Sequence, residues 1–232
     1  MELGKFRTSI HINANQLKIF GALTMFIDHM GLMFFPDMQF FRIIGRLSFP
    51  IFAYMISEGC SHTSNKPRYF LRIFSLAFFC QVVYYIAERS LYMSILVTFS
   101  ISILLIFLLQ YVRSLSGFRK VLGFVGFGLA LAVVLTITGV VEIDYGFWGI
   151  LVPVFASISD NRNKKLFFFT VGLFLLSMSS GGIQRICLLS VILLYFYDGE
   201  REKANLKYFF YIFYPLHLAL LEGIYLIVNG LH

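Results

Sequence analysis

Apolar residues in this chain neither alternate nor gather in short amphipathic stretches. They run on for 14 to 22 residues at a time, and short clusters of Lys, Arg, Asn, Asp and Gly separate the runs. A helix crossing hydrocarbon needs about 20 such residues, and somewhat fewer when other helices surround it. By that ruler the pattern predicts nine helices, near 17–35, 41–58, 70–87, 91–112, 121–141, 145–159, 166–179, 183–198 and 208–228. A transmembrane β-barrel would alternate apolar and polar positions along each strand, so continuous runs exclude it. No internal repeat, low-complexity tract or linker interrupts the series. The expected architecture is all-α: a polytopic integral membrane helix bundle of about nine transmembrane helices, with residues 1–232 forming a single membrane-embedded domain.

Composition agrees. The chain is 59% hydrophobic and 13% charged, against about 45–50% and about 25% for soluble domains. So few charges could not cover that much apolar surface in water. The net charge of +7 does not point to nucleic acid, because the basic residues sit in short clusters between the apolar runs. With the N-terminus in the cytoplasm, fifteen of the nineteen Lys and Arg fall on the inside. They are Lys5, Arg7, Lys18; Lys66, Arg68, Arg72; Arg113, Arg119, Lys120; Arg162, Lys164, Lys165; and Arg201, Lys203, Lys207. This is the positive-inside bias of a multi-pass protein of a cell membrane, here expected to be a bacterial cytoplasmic membrane. Cys60, Cys80 and Cys187 lie in or at the ends of apolar runs without CxxC spacing and read as small hydrophobes. No short apolar stretch near the N-terminus ends in a small-residue cleavage site, so the first long run is expected to be an uncleaved span.

Against this background the ionisable residues inside the spans stand out, since each costs at least about 2.5–3.5 kcal/mol to insert. Asp28 and His29 lie adjacent in the outer half of the first helix. His29 is eleven residues beyond Lys18, about 16 Å along the axis, so Lys18 marks the cytoplasmic edge and His29 sits well inside the membrane. Arg46, in Gly45-Arg46-Leu47-Ser48-Phe49-Pro50, reaches a similar depth if the chain turns near Pro36-Asp37. An Asp28–Arg46 pair would lower the cost of both charges. Such a pair is either a structural tie between helices or one in which Arg46 also contacts an acyl carbonyl or a phosphate. Glu58, Gly59, His62 and Thr63 close the second helix, and Lys66, Arg68, Tyr69 and Arg72 follow. This reads as an ordinary positive-inside loop or as a basic entrance for a phosphate-rich cytosolic ligand. His217, in Tyr214-Pro215-Leu216-His217, lies ten residues after Lys207, so the two histidines should share a membrane depth. Pro215 frees a carbonyl in the preceding turn.

Glu142, Asp144, Arg185 and Glu222 are weaker signals near the outer edge. There is no metal-ligand spacing, phosphate-binding Gly loop or GxSxG elbow. A buried His beside an Asp, with a second His and an Arg at similar depth, suits proton transfer at a carbonyl, with His as general base and Arg or the second His stabilising an oxyanion. A proton-coupled transporter could use the same residues, and spacing alone does not separate the two.

The stretches Leu17-Lys18-Ile19 through Met25-Phe26-Ile27-Asp28-His29-Met30-Gly31 and Ile44-Gly45-Arg46-Leu47-Ser48-Phe49-Pro50-Ile51-Phe52-Ala53 resemble TraX-family proteins. So do Glu58-Gly59, His62-Thr63, Arg68-Tyr69-Phe70-Leu71-Arg72 and the tail from Lys207 through Tyr214-Pro215-Leu216-His217-Leu218. The likeness is dense in the first 72 residues and the last 25 or so. The family's name member is linked to N-terminal acetylation of a conjugative pilin. The family is also distantly similar to the membrane acyltransferase-3 group, whose first helix carries a basic residue, ten residues and then a His, as Lys18 and His29 do here. The resemblance implies acetyl transfer from acetyl-CoA, with His29 catalytic and CoA entering from the cytoplasm near Lys18, Arg68 and Arg72.

The expectation is therefore a membrane-embedded O- or N-acetyltransferase. Acetyl-CoA is the acyl donor at the basic inner mouth (Lys18, Glu58, His62, Arg68, Arg72), and its thioester reaches into a cavity between helices one, two and nine. His29 takes the acceptor's proton or transiently the acetyl group, Asp28 orients it, and Arg46 and His217 polarise the carbonyl. The acceptor is an envelope glycan, a lipid-linked molecule or an exported protein. A proton-coupled transporter or flippase, and a non-catalytic membrane scaffold, are the rival readings.

Overall fold

The computed structural model describes residues 11–199 and 207–230. Lys5, Arg7, Arg201 and Lys203, counted above among the inside charges, lie outside the described residues. Every one of the nine expected segments carries helix. The elements are α1 (Ala14–Phe34), α2 (Gln39–Gly45), α3 (Ser48–His62), α4 (Lys66–Glu88), α5 (Ile95–Ser114), α6 (Gly117–Val140), α7 (Gly146–Ala156), α8 (Arg162–Ser180), a 3₁₀ segment (Gly182–Leu189) running into α9 (Ser190–Phe196), and α10 (Lys207–Asn229). Only isolated bridges, Ile12 with Tyr197 and Met93 with Ile143, represent β pairing among the described residues.

Among the described residues, six segments are long and apolar enough to cross a membrane: Ala14–Phe34, Gln39–His62, Lys66–Ile86, Ile95–Ser114, Gly117–Val140 and Tyr211–Val228. Gly146–Ala156 and Gly182–Phe196 are shorter apolar helices, and α8 opens on Arg162, Lys164 and Lys165 before its apolar part begins. Phe78, Phe79 and Ile86 on α4, and Phe118, Val121, Leu129 and Val140 on α6, are exposed. In water such surfaces would drive aggregation, whereas in lipid they are the outer wall. The chain is a multi-pass helical membrane protein.

The chain divides into two compact bodies, one taking in Met1–Met55 with Ser180–His232 and the other Ile56–Ser179. In the first, a capping box starts α1: Asn13 accepts from the Gln16 backbone N–H at 2.9 Å, and Gln16 Oε1 accepts from the Asn13 N–H at 3.1 Å. The helix ends in a turn over Phe35–Met38, closed by Met38 N–H to Phe35 carbonyl at 3.0 Å. Pro36 there pre-sets the backbone angle of the turn's second position. The expected hairpin near Pro36-Asp37 thus forms and brings α2 back along α1. Close approach needs Gly31, because a Cβ there would overlap the Cβ of Phe41. Gly31→Ala is expected to destabilise the protein by about 1–3 kcal/mol through overpacking, read as a lowered melting temperature in detergent.

The second expected helix, 41–58, is not continuous. Arg46 and Leu47 form a turn between α2 and α3, with Leu47 N–H bonded to Ile44 carbonyl at 3.1 Å. Pro50 accounts for the break. It brings no N–H to the Arg46 carbonyl, and its ring crowds that carbonyl. Below the break Ser48 Oγ donates to Gly21 carbonyl at 2.9 Å, tying α3 to α1.

In the second body α5 is the central helix, with Ile103 and Ile106 fully buried and α4, α6 and α7 packed on it. Its hydroxyls hold neighbouring backbone, Ser102 Oγ donating to Ile150 carbonyl and Thr98 Oγ1 to Asp144 carbonyl, both at 2.7 Å. Asp144 accepts from Tyr92 OH at 2.9 Å, which gives that carboxylate a structural partner.

Candidate active site

The first body gathers the polar residues of the C-terminal half of α1. His29 and His217, 188 positions apart in sequence, meet: His29 Nδ1 lies 3.3 Å from His217 Nε2, with the rings edge to face at 5.1 Å. Further along the same two helices the Phe34 and Tyr225 rings are 6.0 Å apart. Contacts 29 with 217 and 34 with 225 advance together, so α1 and α10 run parallel, the arrangement on which the expected shared depth of the two histidines rested. The last helix continues through Pro215.

Hydrogen-bond partners fix the proton positions. His217 Nδ1 lies 2.8 Å from Phe213 carbonyl. A carbonyl only accepts, so Nδ1 carries the proton and Nε2 of the neutral ring is a lone pair. His29 Nδ1 lies 2.9 Å from Met25 carbonyl and also faces the His217 Nε2 lone pair. Both neighbours are acceptors, so His29 Nδ1 is the protonated nitrogen. The lone pair of neutral His29 is then at Nε2. His217 is buried, at 4% exposure, and the Phe213 ring stacks on it at 4.8 Å. Its two nitrogens are both engaged, whereas His29 is half-buried and its Nε2 has no partner among the described residues.

Asp28 is not paired as expected. Its Oδ2 accepts from Arg42 Nη1 at 2.6 Å, and Arg46 Nη1 instead donates to Gln184 Oε1 at 3.1 Å. The helices cross at Gly45, where a Cβ would overlap the Asp28 carboxylate. Arg42 and Arg46 flank that crossing one turn apart on a common face. Arg42 takes the carboxylate, and Arg46, at the α2–α3 break, turns to the 3₁₀ segment. Arg42 also lies within electrostatic range of His29, and Arg46 within range of Asp28.

The second body holds the other expected site residues. Glu58 Oε1 accepts from Lys165 Nζ in a short, part-buried ion pair, and His62 Nδ1 lies 3.8 Å from Glu58 Oε2. Lys165, counted above as a loop charge, is 6% exposed. The signal for this was present: Lys165, Phe169, Gly172, Leu173 and Leu176 are the buried face of α8, and they recur at helical spacing. Arg68 and Arg72 line an open groove of about 520 Å³ with Asn65, Pro67, Leu71 and Ser75. Asn65 caps α4 by accepting from Arg68 N–H at 2.9 Å, so the groove joins two guanidinium side chains to a helix N-terminus. Lys18 is half-buried on α1, in the first body.

Residues 13–225 match the family model described as TraX protein. The chain belongs to the TraX family. This TraX-family chain is also similar to the probable fimbrial assembly protein FimC, serogroup H1, of Dichelobacter nodosus. The two are 24% identical over 245 residues, covering 92% of this chain and 96% of that protein. No solved structure matches it.

Proposed function

We propose that this TraX-family protein is a membrane-embedded acetyltransferase that moves an acetyl group from cytosolic acetyl-CoA to a hydroxyl or amine of a cell-envelope or exported acceptor. The observation that carries the reading is the His29–His217 pair, whose tautomers leave a basic Nε2 on His29. The acceptor oxygen or nitrogen attacks the thioester carbonyl. The new C–O or C–N bond forms, the C–S bond breaks, and the proton passes from acceptor to His29 Nε2 and on to the CoA thiolate. The imidazolium formed is stabilised through Nδ1–H to His217 Nε2. Asp28, fixed by Arg42, holds negative charge beside His29 on α1. Arg42, within range of His29, takes over the carbonyl-polarising role expected of Arg46. The FimC-like relative's name supports an acceptor tied to pilus assembly, within the wider envelope or exported class.

Arg68 and Arg72, in their groove at the start of α4, suit the phosphates of CoA, as guanidinium and helix N-terminal N–H groups do. Lys18 is a further basic candidate. Glu58 and His62 serve by building the α3 end with Lys165. Arg68→Glu and Arg72→Glu are each expected to raise KM for acetyl-CoA about tenfold or more, with kcat changed less than about twofold. Steady-state CoA release checks this.

The topology proposed is nine spans with the N-terminus cytoplasmic, in a bacterial cytoplasmic membrane. The parallel run of α1 and α10 supports an odd number of crossings. Six long spans alone would leave the first and last antiparallel, which supports a reading in which α7, α8 and the 3₁₀–α9 segment also cross. The basic clusters between spans support the inward N-terminus.

One observation favours the transporter reading. The α2–α3 interruption beside buried ionisable groups is a feature of transporter sites. Purified protein in nanodiscs, given acetyl-CoA and envelope extract, separates the two. Release of free CoA that requires His29 supports the enzyme, while solute flux in proteoliposomes without acetyl-CoA, and no CoA release, supports the transporter.

A further inference from the structure

Among the described residues of the first body, three buried polar atoms have no oxygen or nitrogen hydrogen-bond partner: Asp28 Oδ1, Arg46 Nε and Gln184 Nε2. Buried polar groups are almost always paired, and a charged group left unpaired costs more than a neutral one. These three belong to one place. Gln184 holds Arg46 directly. The Asp28 carboxylate is turned onto Gly45, the neighbour of Arg46. The 3₁₀ segment carrying Gln184 packs on α2. Gln184 is 5% exposed.

The orientation of its amide is settled by chemistry. Arg46 can only donate, so Oε1 is the atom facing it and Nε2 presents its N–H groups elsewhere. Arg46 spends Nη1 on Gln184 and keeps Nε–H. The Cys187 thiol, the sulfur neighbour of the Gln184 amide, is only a weak acceptor, so these two donors, one of them charged, lack a strong one. The local charge does not cancel: Asp28 is matched by Arg42, and Arg46 has no carboxylate partner among the described ion pairs. An anionic oxygen would satisfy both donors and the surplus charge. Asp28 Oδ1, an acceptor with its sister oxygen already on Arg42, lacks a donor, and a hydroxyl beside that anion would supply one.

We propose that Arg46, Gln184 and Asp28 form a binding site for a phosphate ester that carries a neighbouring hydroxyl, as in a glycerophosphate headgroup or a polyol phosphate. Arg46 Nε–H and Gln184 Nε2–H bind the phosphate oxygen, and Asp28 Oδ1 accepts from the hydroxyl. Calling this ligand the acceptor, or its anchor, rests on the acetyltransferase reading; the binding site does not.

The test uses the full-length protein in neutral detergent without acetyl-CoA. Dioleoyl phosphatidylglycerol and glycerol 1-phosphate are titrated separately, with phosphatidylcholine and glycerol as controls, and binding is read by native mass spectrometry and thermal shift. Wild type should bind one probe in preference to its control. Gln184→Leu, which removes the donors, and Gln184→Glu, which sets a carboxylate against Arg46, should each weaken binding by about tenfold or more. Thermal unfolding of the unliganded variants establishes that they fold. Preference for the lipid identifies a headgroup source, and preference for the soluble ester a free one. Neither probe exceeding its control, or equal binding by folded Gln184→Leu, overturns the proposal. A protein that binds but does not release CoA loses the enzyme reading and keeps this site. One that turns over acetyl-CoA without binding either probe does the reverse.

Discussion

His29→Ala is expected to lower acetyl-CoA turnover by roughly 10²–10⁴-fold, the usual contribution of a positioned general base, with the protein inserting normally and KM for acetyl-CoA little changed. The expectation rests on which nitrogen is available. His29 Nδ1 faces Met25 carbonyl and His217, so only Nε2 can meet a substrate proton. His217→Ala should act differently. It removes the acceptor that holds the His29 ring and shares its charge, and misplacing a catalytic group costs about 10²-fold. Because His217 touches His29 rather than substrate in this account, its loss should lower kcat without altering KM. Stopped assays of CoA release, at protein levels normalised by size-exclusion profile, measure both. Full activity in His29→Ala would sink the assignment.

Glu58→Ala carries the largest expected effect on stability. Glu58 and Lys165 are paired with little access to water, their side chains 15% and 7% exposed. Removing one partner leaves the other charged and buried, at a cost of about 3–5 kcal/mol. Lys165→Ala should cost a similar amount. The double variant Glu58→Gln, Lys165→Met, which removes both charges and keeps the volume, should recover much of the loss. Thermal unfolding in detergent reads all three. Equal melting temperatures for Glu58→Ala and wild type would show that water or lipid headgroups already satisfy Lys165.

How far the sequence could be read differed from one part of the molecule to another. Apolar run lengths placed helix in each of the nine expected segments, six of them long enough to cross, because a helix in hydrocarbon needs a long apolar run. The Pro36-Asp37 turn followed from proline's fixed backbone angle. The meeting of His29 and His217 was legible because each follows a basic residue by nearly the same number of positions, and equal spacing on parallel helices means equal depth. The identity of the aspartate's partner was not. Arg42 and Arg46 are one turn apart, and the choice between them depends on where Gly45 lets the helices touch, a packing detail that periodicity does not carry. The break at Arg46–Leu47 was signalled by Pro50, but a proline near a helix start is also tolerated without a break. Lys165 was hidden by its neighbour Lys164, since two adjacent lysines read as a loop although helical geometry sends them to different faces. Gln184 has no charge and no motif, and only its buried, half-satisfied amide draws notice.

The central claim is that this protein transfers acetyl groups, and the most direct measurement is a label experiment. Purified protein in nanodiscs is incubated with acetyl-labelled acetyl-CoA and crude envelope extract, alongside His29→Ala, and the label is followed out of CoA. The account predicts that wild type moves label stoichiometrically with CoA release into an envelope component, and that His29→Ala does not. Folded wild-type protein that neither binds acetyl-CoA nor moves any label would contradict it.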